Sequence, residues 1–273
     1  VRNDGSHRAL CEVLGEETAA LVSIMPDGGF FADPSGSSQE RTDSGRIGIN
    51  IAGDMLERRF DQGFSAENFL HELACALRDL MDIQPELSVD LIPHIWRDSA
   101  LIAQLLPMIP DHYLRRRVAI GRLEPNETGL TSFLQDYQNF DLVLGMRFHA
   151  NVCPIGMGIP ARGLLNYPQV QRLYEELDLA DRLIDVRNKG FGKHLVNSVL
   201  ADLADLPNQR RVCAERAGAH GARCDHGRES GRYQSVHDAS PVVAGRAAVL
   251  RCGGSGRRDP SVPSPSGRLS GRC

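Results

Sequence analysis

Two polar residues near the middle of the chain, Arg147 and His149, carry the side chains that anion binding and proton transfer require. Arginine is a permanent forked cation, and histidine is the side chain that exchanges a proton near neutral pH. They follow an apolar run at 141–145 that predicts a buried strand leading into a helix, whose first backbone N–H groups favour an anion. The segment indicates a site that holds an anionic substrate and moves a proton. The same residues are also typical of an ordinary helix start with two surface polar side chains. The flanking sequence has to distinguish the two interpretations.

A second candidate, His94, lies in the sequence IPHIWRD at residues 92–98. One interpretation places His94 in a cleft as a ligand for a phosphate or a sugar hydroxyl, with Asp98 as a helix cap or a hydroxyl acceptor. In the other interpretation Asp98 only caps a helix and His94 only ends a strand. This stretch alone leaves both open.

Apolar runs and helical patterns alternate from residue 45 to about residue 205. The runs predict strands at 46–53, 87–93, 117–121, 141–145, 159–165 and 182–186. Apolar periodicity predicts helices after the N-cap Ser65 and at 98–106, 127–137, 169–177 and 190–205. Such alternation is typical of parallel βαβ units with right-handed crossovers. We therefore expect an α/β fold over residues 45–205, a Rossmann-like parallel sheet with helices on both faces.

Ligands of doubly wound sheets bind outside the carboxyl ends of the strands. Asn50, His94, Arg147 and His149 all fall at or just beyond the carboxyl end of a predicted strand. We expect them to face one cleft, with Asn50 on its border. The glycine-flanked run at 48–53 is not a Gly-x-Gly-x-x-Gly fingerprint, and no Walker sequence is present, which argues against a dinucleotide enzyme and a P-loop ATPase.

The two ends of the chain differ from this central pattern. Residues 1–44 predict the remnant of a preceding Rossmann-like domain and a linker, with a helix from Ser6 to Leu14, so the chain looks truncated. Residues 206–273 form a low-complexity tail rich in Arg, Gly, Ser and Pro, in which we expect no packed core. A frameshift in a GC-rich gene and a genuine disordered basic tail both fit. Four of the seven cysteines lie there at spacings that are typical of neither a metal site nor a disulfide framework, which favours the frameshift.

Composition limits the partners and the compartment. The net charge of −4 divides into about −11 before residue 210 and +7 after it, but we do not expect nucleic acid to bind the anomalous tail. No apolar run is long enough to predict a membrane span. The cysteines form neither Cys-x-x-Cys nor a zinc spacing, which is typical of a reduced compartment. We expect a cytoplasmic protein, working free or at the inner face of the membrane.

Several short motifs together resemble the polysaccharide pyruvyl transferases. They are GMRFHA at 145–150, GIP at 158–160, NYP at 166–168, EELDL at 175–179, IPH at 92–94 with Asp98, and the opening VRN with Ser6, Gly15, Asp27 and Phe30. They occur in the family's order and cover roughly residues 1–190. The resemblance implies one half of a two-domain fold of the glycosyltransferase-B type, GT-B for short.

The resemblance also implies a reaction, the transfer of an enolpyruvyl unit from phosphoenolpyruvate to a sugar of a polysaccharide or its precursor, giving a pyruvate ketal. His149 matches the catalytic general acid, and Arg2 and Arg147 match cations that face the donor's carboxylate and phosphate. His94 would be a further cleft residue. Gln169 stands where the family often has a lysine, which leaves one anion contact in doubt.

The implied partners are phosphoenolpyruvate and a glycan or lipid-linked sugar acceptor, with no cofactor and no metal. Oligomeric state and the acceptor's identity stay open. Two other functions fit the same architecture. A GT-B glycosyltransferase or a sugar-nucleotide epimerase would use the cleft for a nucleotide diphosphate. A truncated remnant would be inactive.

Overall fold

The computed structural model describes residues 6–19, 21–22, 25–32, 43–54, 56–123 and 127–225 of the chain. Two of the expectations above lie outside these residues. One is the substrate contact predicted for Arg2, and the other is the tail beyond residue 225. Among the described helices, none has the length and apolar character needed to cross a membrane.

Within the described residues, the strands form one fully parallel sheet. They are β1 (Arg46–Asn50), β2 (Ser88–Leu91), β3 (Val118–Ile120), β4 (Leu142–Gly145), β5 (Ala161–Leu165) and β6 (Leu183–Asp185). Their order is β3-β2-β1-β4-β5-β6, so the chain starts at the centre, builds outward on one side and returns to build the other. This confirms the predicted parallel α/β sheet.

Helices cover both faces of that sheet. The helices of the described residues are α1 (Ser6–Leu14), α2 (Glu16–Ala19), α3 (Ala66–Ile83), α4 (Trp96–Leu105), α5 (Asp111–Leu114), α6 (Glu127–Tyr137), α7 (His149–Gly156), α8 (Pro168–Glu176), α9 (Phe191–Leu203) and α10 (Leu206–Asp225). One apolar core joins the sheet to α3, α4 and α9, and a second joins it to α6, α7 and α8. Leu142 and Leu144 belong to the first core and Val143 to the second, as alternation along a strand requires.

The strands are shorter than the apolar runs that predict them, because burial continues past the strand ends. Ile51 and Ala52 follow β1 and are fully buried without belonging to the strand. The start of α3 matches its prediction, since the Ser65 Oγ accepts from the Asn68 backbone N–H at 3.1 Å. The carboxyl-edge loops are therefore packed parts of the core, which gives the residues on them fixed positions.

Residues 206–225 form a packed helix, although the composition of the tail predicts no packed core. Helix α10 begins at Leu206, which is buried together with Cys213. Arg210 pairs its Nη2 with Asp141 Oδ1 at 2.9 Å and its Nη1 with Asp43 Oδ1 at 3.0 Å. Few apolar positions and several ion pairs hold this helix, so apolar periodicity does not reveal it. The packed structure extends past the boundary at 205 that the composition predicts.

Part of the amino-terminal stretch also packs on the sheet domain. Helix α1 has the predicted bounds and ends at Gly15, whose φ of +81° is one that glycine readily adopts. A 3₁₀ turn at Gly28–Phe31 packs against α7. At Gly156 of α7, a Cβ atom would lie 2.7 Å from the Phe30 Cα. This close approach fixes the turn beside the start of α7.

Candidate active site

The carboxyl edge of the sheet has its switch point between β1 and β4, the neighbours at which the strand order changes direction. Doubly wound sheets bind their ligands at this point. Asn50 ends β1 and pairs with Gly145, which ends β4. The loop after Gly145 carries Arg147 and leads into α7, whose first residue is His149. Arg147 and His149 therefore lie where a ligand is expected.

Asn50 lies beneath this point and joins three loops. Its side chain is fully buried. The Oδ1 atom accepts from the Arg147 backbone N–H at 3.0 Å, and the Nδ2 atom donates to the Ile92 carbonyl at 2.9 Å. The sequence predicts that Asn50 borders the cleft and binds substrate. The structure places its amide against the backbone, where it forms the floor of the site.

Arg147 is held by two carboxylates. Its Nε donates to Asp98 Oδ2 at 2.7 Å and its Nη2 to Asp98 Oδ1 at 2.6 Å, a bidentate pair, while Nη2 also contacts Asp54 Oδ1. Partial burial opposes the charge, but these carboxylates raise the pKa of Arg147. Burial likewise opposes the charge of Asp54, but the hydrogen bond and positive charge of Arg147, with the nearby Tyr167 hydroxyl, lower the pKa of that carboxyl. The positive charge of Arg147, the predicted anion-binding residue, is therefore balanced by the carboxylates of Asp98 and Asp54.

Asp98 connects the loops after β1, β2 and β4. It is fully buried and stands third in α4. Besides binding Arg147, its carboxylate accepts from the backbone N–H groups of His94 at 3.0 Å, Ile95 at 3.2 Å and Gly53 at 3.2 Å. It therefore fills the capping role considered for it and also fixes the guanidinium of Arg147.

His94 is a neutral hydrogen-bonding group in this site. Its Nε2 lies 2.8 Å from the Tyr137 hydroxyl, and its ring meets Phe133 edge-on at 4.8 Å. Burial lowers the pKa of His94 to about 3, with Arg147 and His149 contributing in the same direction against Asp98. The hydroxyl of Tyr137 also keeps its proton, because burial raises its pKa. His94 is therefore suited to hydrogen bonding and not to proton donation at neutral pH.

His149 is the accessible histidine of the site. Its side chain is 54% exposed, and its Nε2 lies 3.3 Å from Asp27 Oδ1, which is an ion-pair distance when the ring is protonated. Asp27 is itself buried and caps the 3₁₀ turn by accepting from the Gly29 N–H at 2.8 Å. A fixed carboxylate at Nε2 orients the ring and leaves Nδ1 for a ligand. Sequence analysis gives Asp27 only as a motif residue, since no local signal links it to a histidine so far along the chain.

A second group of polar residues lies beyond Arg147. The Tyr167 hydroxyl donates to the Asp54 carbonyl at 2.9 Å. The guanidinium carbon of Arg59 lies 3.7 Å from the centroid of the Tyr167 ring, within cation–π range. No pattern in the sequence points to Asp54 or Arg59. Their position in the loop after β1 was the available signal, because that loop leaves the sheet at the switch point.

The structure thus brings His94, Arg147 and His149 to one edge of the sheet. Asn50 supports them from below, and Arg2 lies outside the described residues. Gln169 is exposed in the first turn of α8. Among the described residues, no group of three or more potential metal ligands comes together.

Comparisons with known proteins bear on this site. A family model described as polysaccharide pyruvyl transferase matches residues 1–167. A comparison with curated proteins finds no match.

Among solved structures, the chain is similar to the UDP-GlcNAc 2-epimerase from Neisseria meningitidis bound to UDP-GlcNAc, at 12% identity and a TM-score of 0.42, covering 68% of this chain and 44% of that one. It is also similar to a K341M mutant of the Thermobaculum terrenum O-GlcNAc transferase, at 14% identity and a TM-score of 0.42, covering 72% and 36%. The N-terminal domain of the Candida albicans trehalose-6-phosphate phosphatase matches at 10% identity and a TM-score of 0.39, covering 67% and 40%. The chain spans less than half the length of each of these structures.

Proposed function

Because the chain belongs to the polysaccharide pyruvyl transferase family, we propose that it carries the donor-side half of an enzyme that makes pyruvate ketals. The donor is phosphoenolpyruvate, and the acceptor is a sugar of a glycan or of its lipid-linked precursor. One observation carries the proposal. His149 is accessible at the switch point of the sheet, and a buried carboxylate, Asp27, holds one of its ring nitrogens.

His149 acts as the general acid. It delivers a proton to the methylene carbon of phosphoenolpyruvate, and positive charge develops on the neighbouring carbon that bears the phosphate. A sugar hydroxyl attacks that carbon and loses its proton. The C–O bond to phosphate then breaks, and a second hydroxyl of the same sugar closes the ketal. Histidine suits the first step because it exchanges protons near neutral pH. The Asp27 carboxylate lies 3.3 Å from the His149 Nε2, so Nδ1 is the ring nitrogen that faces the donor.

The other residues position the donor. Arg147 presents Nη1, which makes no hydrogen bond to the residues that the structure describes, while Asp98 and Asp54 hold the remaining guanidinium nitrogens. His94 contributes a neutral hydrogen bond to the donor or to a sugar hydroxyl. Asn50 acts through the backbone of Arg147. Arg2 stays a predicted contact to the donor. The chemistry needs a proton donor and anion-binding groups, and it calls for no cofactor.

The test measures phosphate release from phosphoenolpyruvate in the presence of methyl hexosides that carry free diols, with mass spectrometry of the sugar product. The expected result is phosphate released together with a sugar that has gained one pyruvate ketal. Nucleotide release from a UDP-sugar without any reaction of phosphoenolpyruvate would refute the proposal in favour of a glycosyltransferase or an epimerase.

A further inference from the structure

Two polar side chains near the carboxyl edge contain buried atoms without hydrogen-bond partners. Asn166 is 2% exposed, and neither its Nδ2 nor its Oδ1 is bonded. The Nη1 atom of Arg59 is also buried and unbonded. Buried polar atoms in proteins are nearly always satisfied, so each such group calls for an explanation. A ligand that the two groups share is one explanation.

The two residues belong to one continuous stretch of the edge. Asn166 follows β5 directly and precedes Tyr167, the residue at which α8 is capped. The Tyr167 ring carries the Arg59 guanidinium on its face. Its hydroxyl bonds to the loop at Asp54, whose carboxylate contacts Arg147. Contacts therefore run unbroken from Arg147, two residues before His149, to Asn166.

The surroundings favour an anion. Arg59 brings a permanent positive charge. Helix α8 begins two residues after Asn166 and has no acidic residue in its first turn. The positive end of its dipole attracts negative charge, although Pro168 has no N–H and the Val170 N–H already bonds to the Tyr167 carbonyl. Gln169 in that turn is neutral, and the nearby positive charge comes from Arg59 on the Tyr167 ring.

The orphan atoms decide between classes of anion. Arg59 Nη1 and Asn166 Nδ2 are donors and need acceptor oxygens, whereas Asn166 Oδ1 needs a donor. A carboxylate satisfies only the first two. A phosphoryl group has several acceptor oxygens and a second pKa of about 6. It therefore carries a P–OH donor part of the time near neutral pH, and free hydrogen phosphate carries one throughout.

We propose that Asn166 and Arg59 form a phosphoryl-binding subsite that holds the phosphate of phosphoenolpyruvate and then the departing inorganic phosphate. This rests on the function proposed above. The unbonded atoms of both residues are buried, so the phosphoryl group reaches them when the Arg59 side chain leaves the Tyr167 ring. The subsite supplies the donor contact that Gln169 does not.

The test is calorimetric titration of the 273-residue chain with inorganic phosphate and with phosphoenolpyruvate. Asn166→Asp keeps the side-chain shape but places a negative charge against the ligand, and Arg59→Gln removes the cation. Each substitution should lower the affinity for both ligands about tenfold or more. Arg58→Gln is the matched control, because it removes the same charge from an exposed neighbour in the same 3₁₀ turn, and it should change affinity less than about twofold. Unchanged affinity in Asn166→Asp and Arg59→Gln, or equal loss in Arg58→Gln, overturns the subsite.

A second measurement separates ligand binding from a purely structural role. Because its polar atoms lack partners, Asn166→Ala should leave the ligand-free melting temperature unchanged or raise it by about 2–4 °C, and it should abolish the rise that phosphate causes in the wild type. A lower melting temperature with an intact phosphate effect would mean that Asn166 serves the fold, and the subsite falls.

The outcomes also separate this subsite from the transferase proposal. Phosphate binding that depends on Asn166 in a protein that never transfers pyruvate supports the subsite and removes the proposed function. Transfer that depends on His149, with phosphate binding indifferent to Asn166, removes the subsite alone. UDP that binds more tightly than phosphoenolpyruvate through Asn166 overturns the assignment to the pyruvyl donor.

Discussion

Two regions of the carboxyl edge differ in whether their buried polar atoms have hydrogen-bond partners. In the switch-point cluster, which comprises Asn50, Asp54, Asp98 and Arg147, the side chains bond to one another or to the backbone. In the Asn166 subsite, which comprises Asn166 and Arg59, buried atoms have no partner. A cluster that is paired without ligand fixes geometry, whereas an unpaired one gains its hydrogen bonds when a ligand arrives. The difference predicts that a substitution in the first chiefly lowers stability, whereas a substitution in the second chiefly lowers affinity for the donor.

The largest effect is expected from His149→Gln in an enzyme that carries the complete site. Glutamine keeps a similar size and hydrogen-bonding capacity but cannot deliver a proton to the enol carbon. The rate of ketal formation should fall by about 10²–10⁴, while phosphoenolpyruvate binding measured by calorimetry stays close to normal. His112→Gln is the control, since His112 is exposed on α5, which precedes β3.

A His149→Gln enzyme that turns over near the normal rate would eliminate His149 as the acid. The Arg147–His149 pair would then be no more than a helix start. Loss of binding together with rate would instead show that His149 also holds the donor.

The next effect concerns stability. Arg147→Ala leaves the fully buried Asp98 without its cation, and breaking such a pair typically costs about 3–5 kcal/mol. Arg59→Gln loses only a cation–π contact and should cost less than about 1 kcal/mol. Urea unfolding followed by circular dichroism measures both. Adding Asp98→Asn to Arg147→Ala should restore part of the loss, because a neutral amide needs no counter-charge. Equal losses for the two arginines would contradict the proposed difference between the switch-point cluster and the Asn166 subsite.

The sequence predicts the location of the site better than it predicts which side chains pair within it. Alternating strands and helices place His94, Arg147 and His149 beyond strand ends, and parallel pairing then brings those ends to one edge. Helix α6 has the predicted bounds of Glu127–Tyr137. These features depend on local apolar patterns, which can be read directly from the sequence.

The pairing depends on strand order, which local patterns do not contain. Asp98 reaches Arg147 because β1 lies between β2 and β4, and the two residues are 49 positions apart. The contact between Asp27 and His149 likewise depends on a turn that packs on α7. Helix α10 goes unpredicted for a different reason, since its sequence has few apolar positions and its contacts include the ion pairs of Arg210.

A smaller effect should appear in the pH dependence of stability. Burial lowers the pKa of His94 to about 3 in the folded protein, from 6.5. Below the higher value the unfolded chain takes up a proton that the folded protein refuses. Stability should therefore fall as pH drops from about 6.5 toward 3, by at most about 1.4 kcal/mol per pH unit. His94→Gln should lose less stability between pH 6.5 and 5, as urea unfolding would reveal. Parallel curves for the two proteins would show that His94 is freely protonated.

The smallest effect is expected from Asp27→Asn. The asparagine retains an oxygen that can accept from the Gly29 N–H, so the turn stays capped, and only the charge beside His149 is removed. Because the His149 side chain is 54% exposed, water screens its attraction to Asp27. The rate of ketal formation should fall about fivefold or less, corresponding to about 1 kcal/mol. Asp27→Ala should fall further, because the turn that positions the carboxylate loses its cap as well. If Asp27→Asn alone reaches the loss of His149→Gln, the two residues act as one unit. The exposed His149 and the buried Asp27 would then be as tightly coupled as the residues of the switch-point cluster.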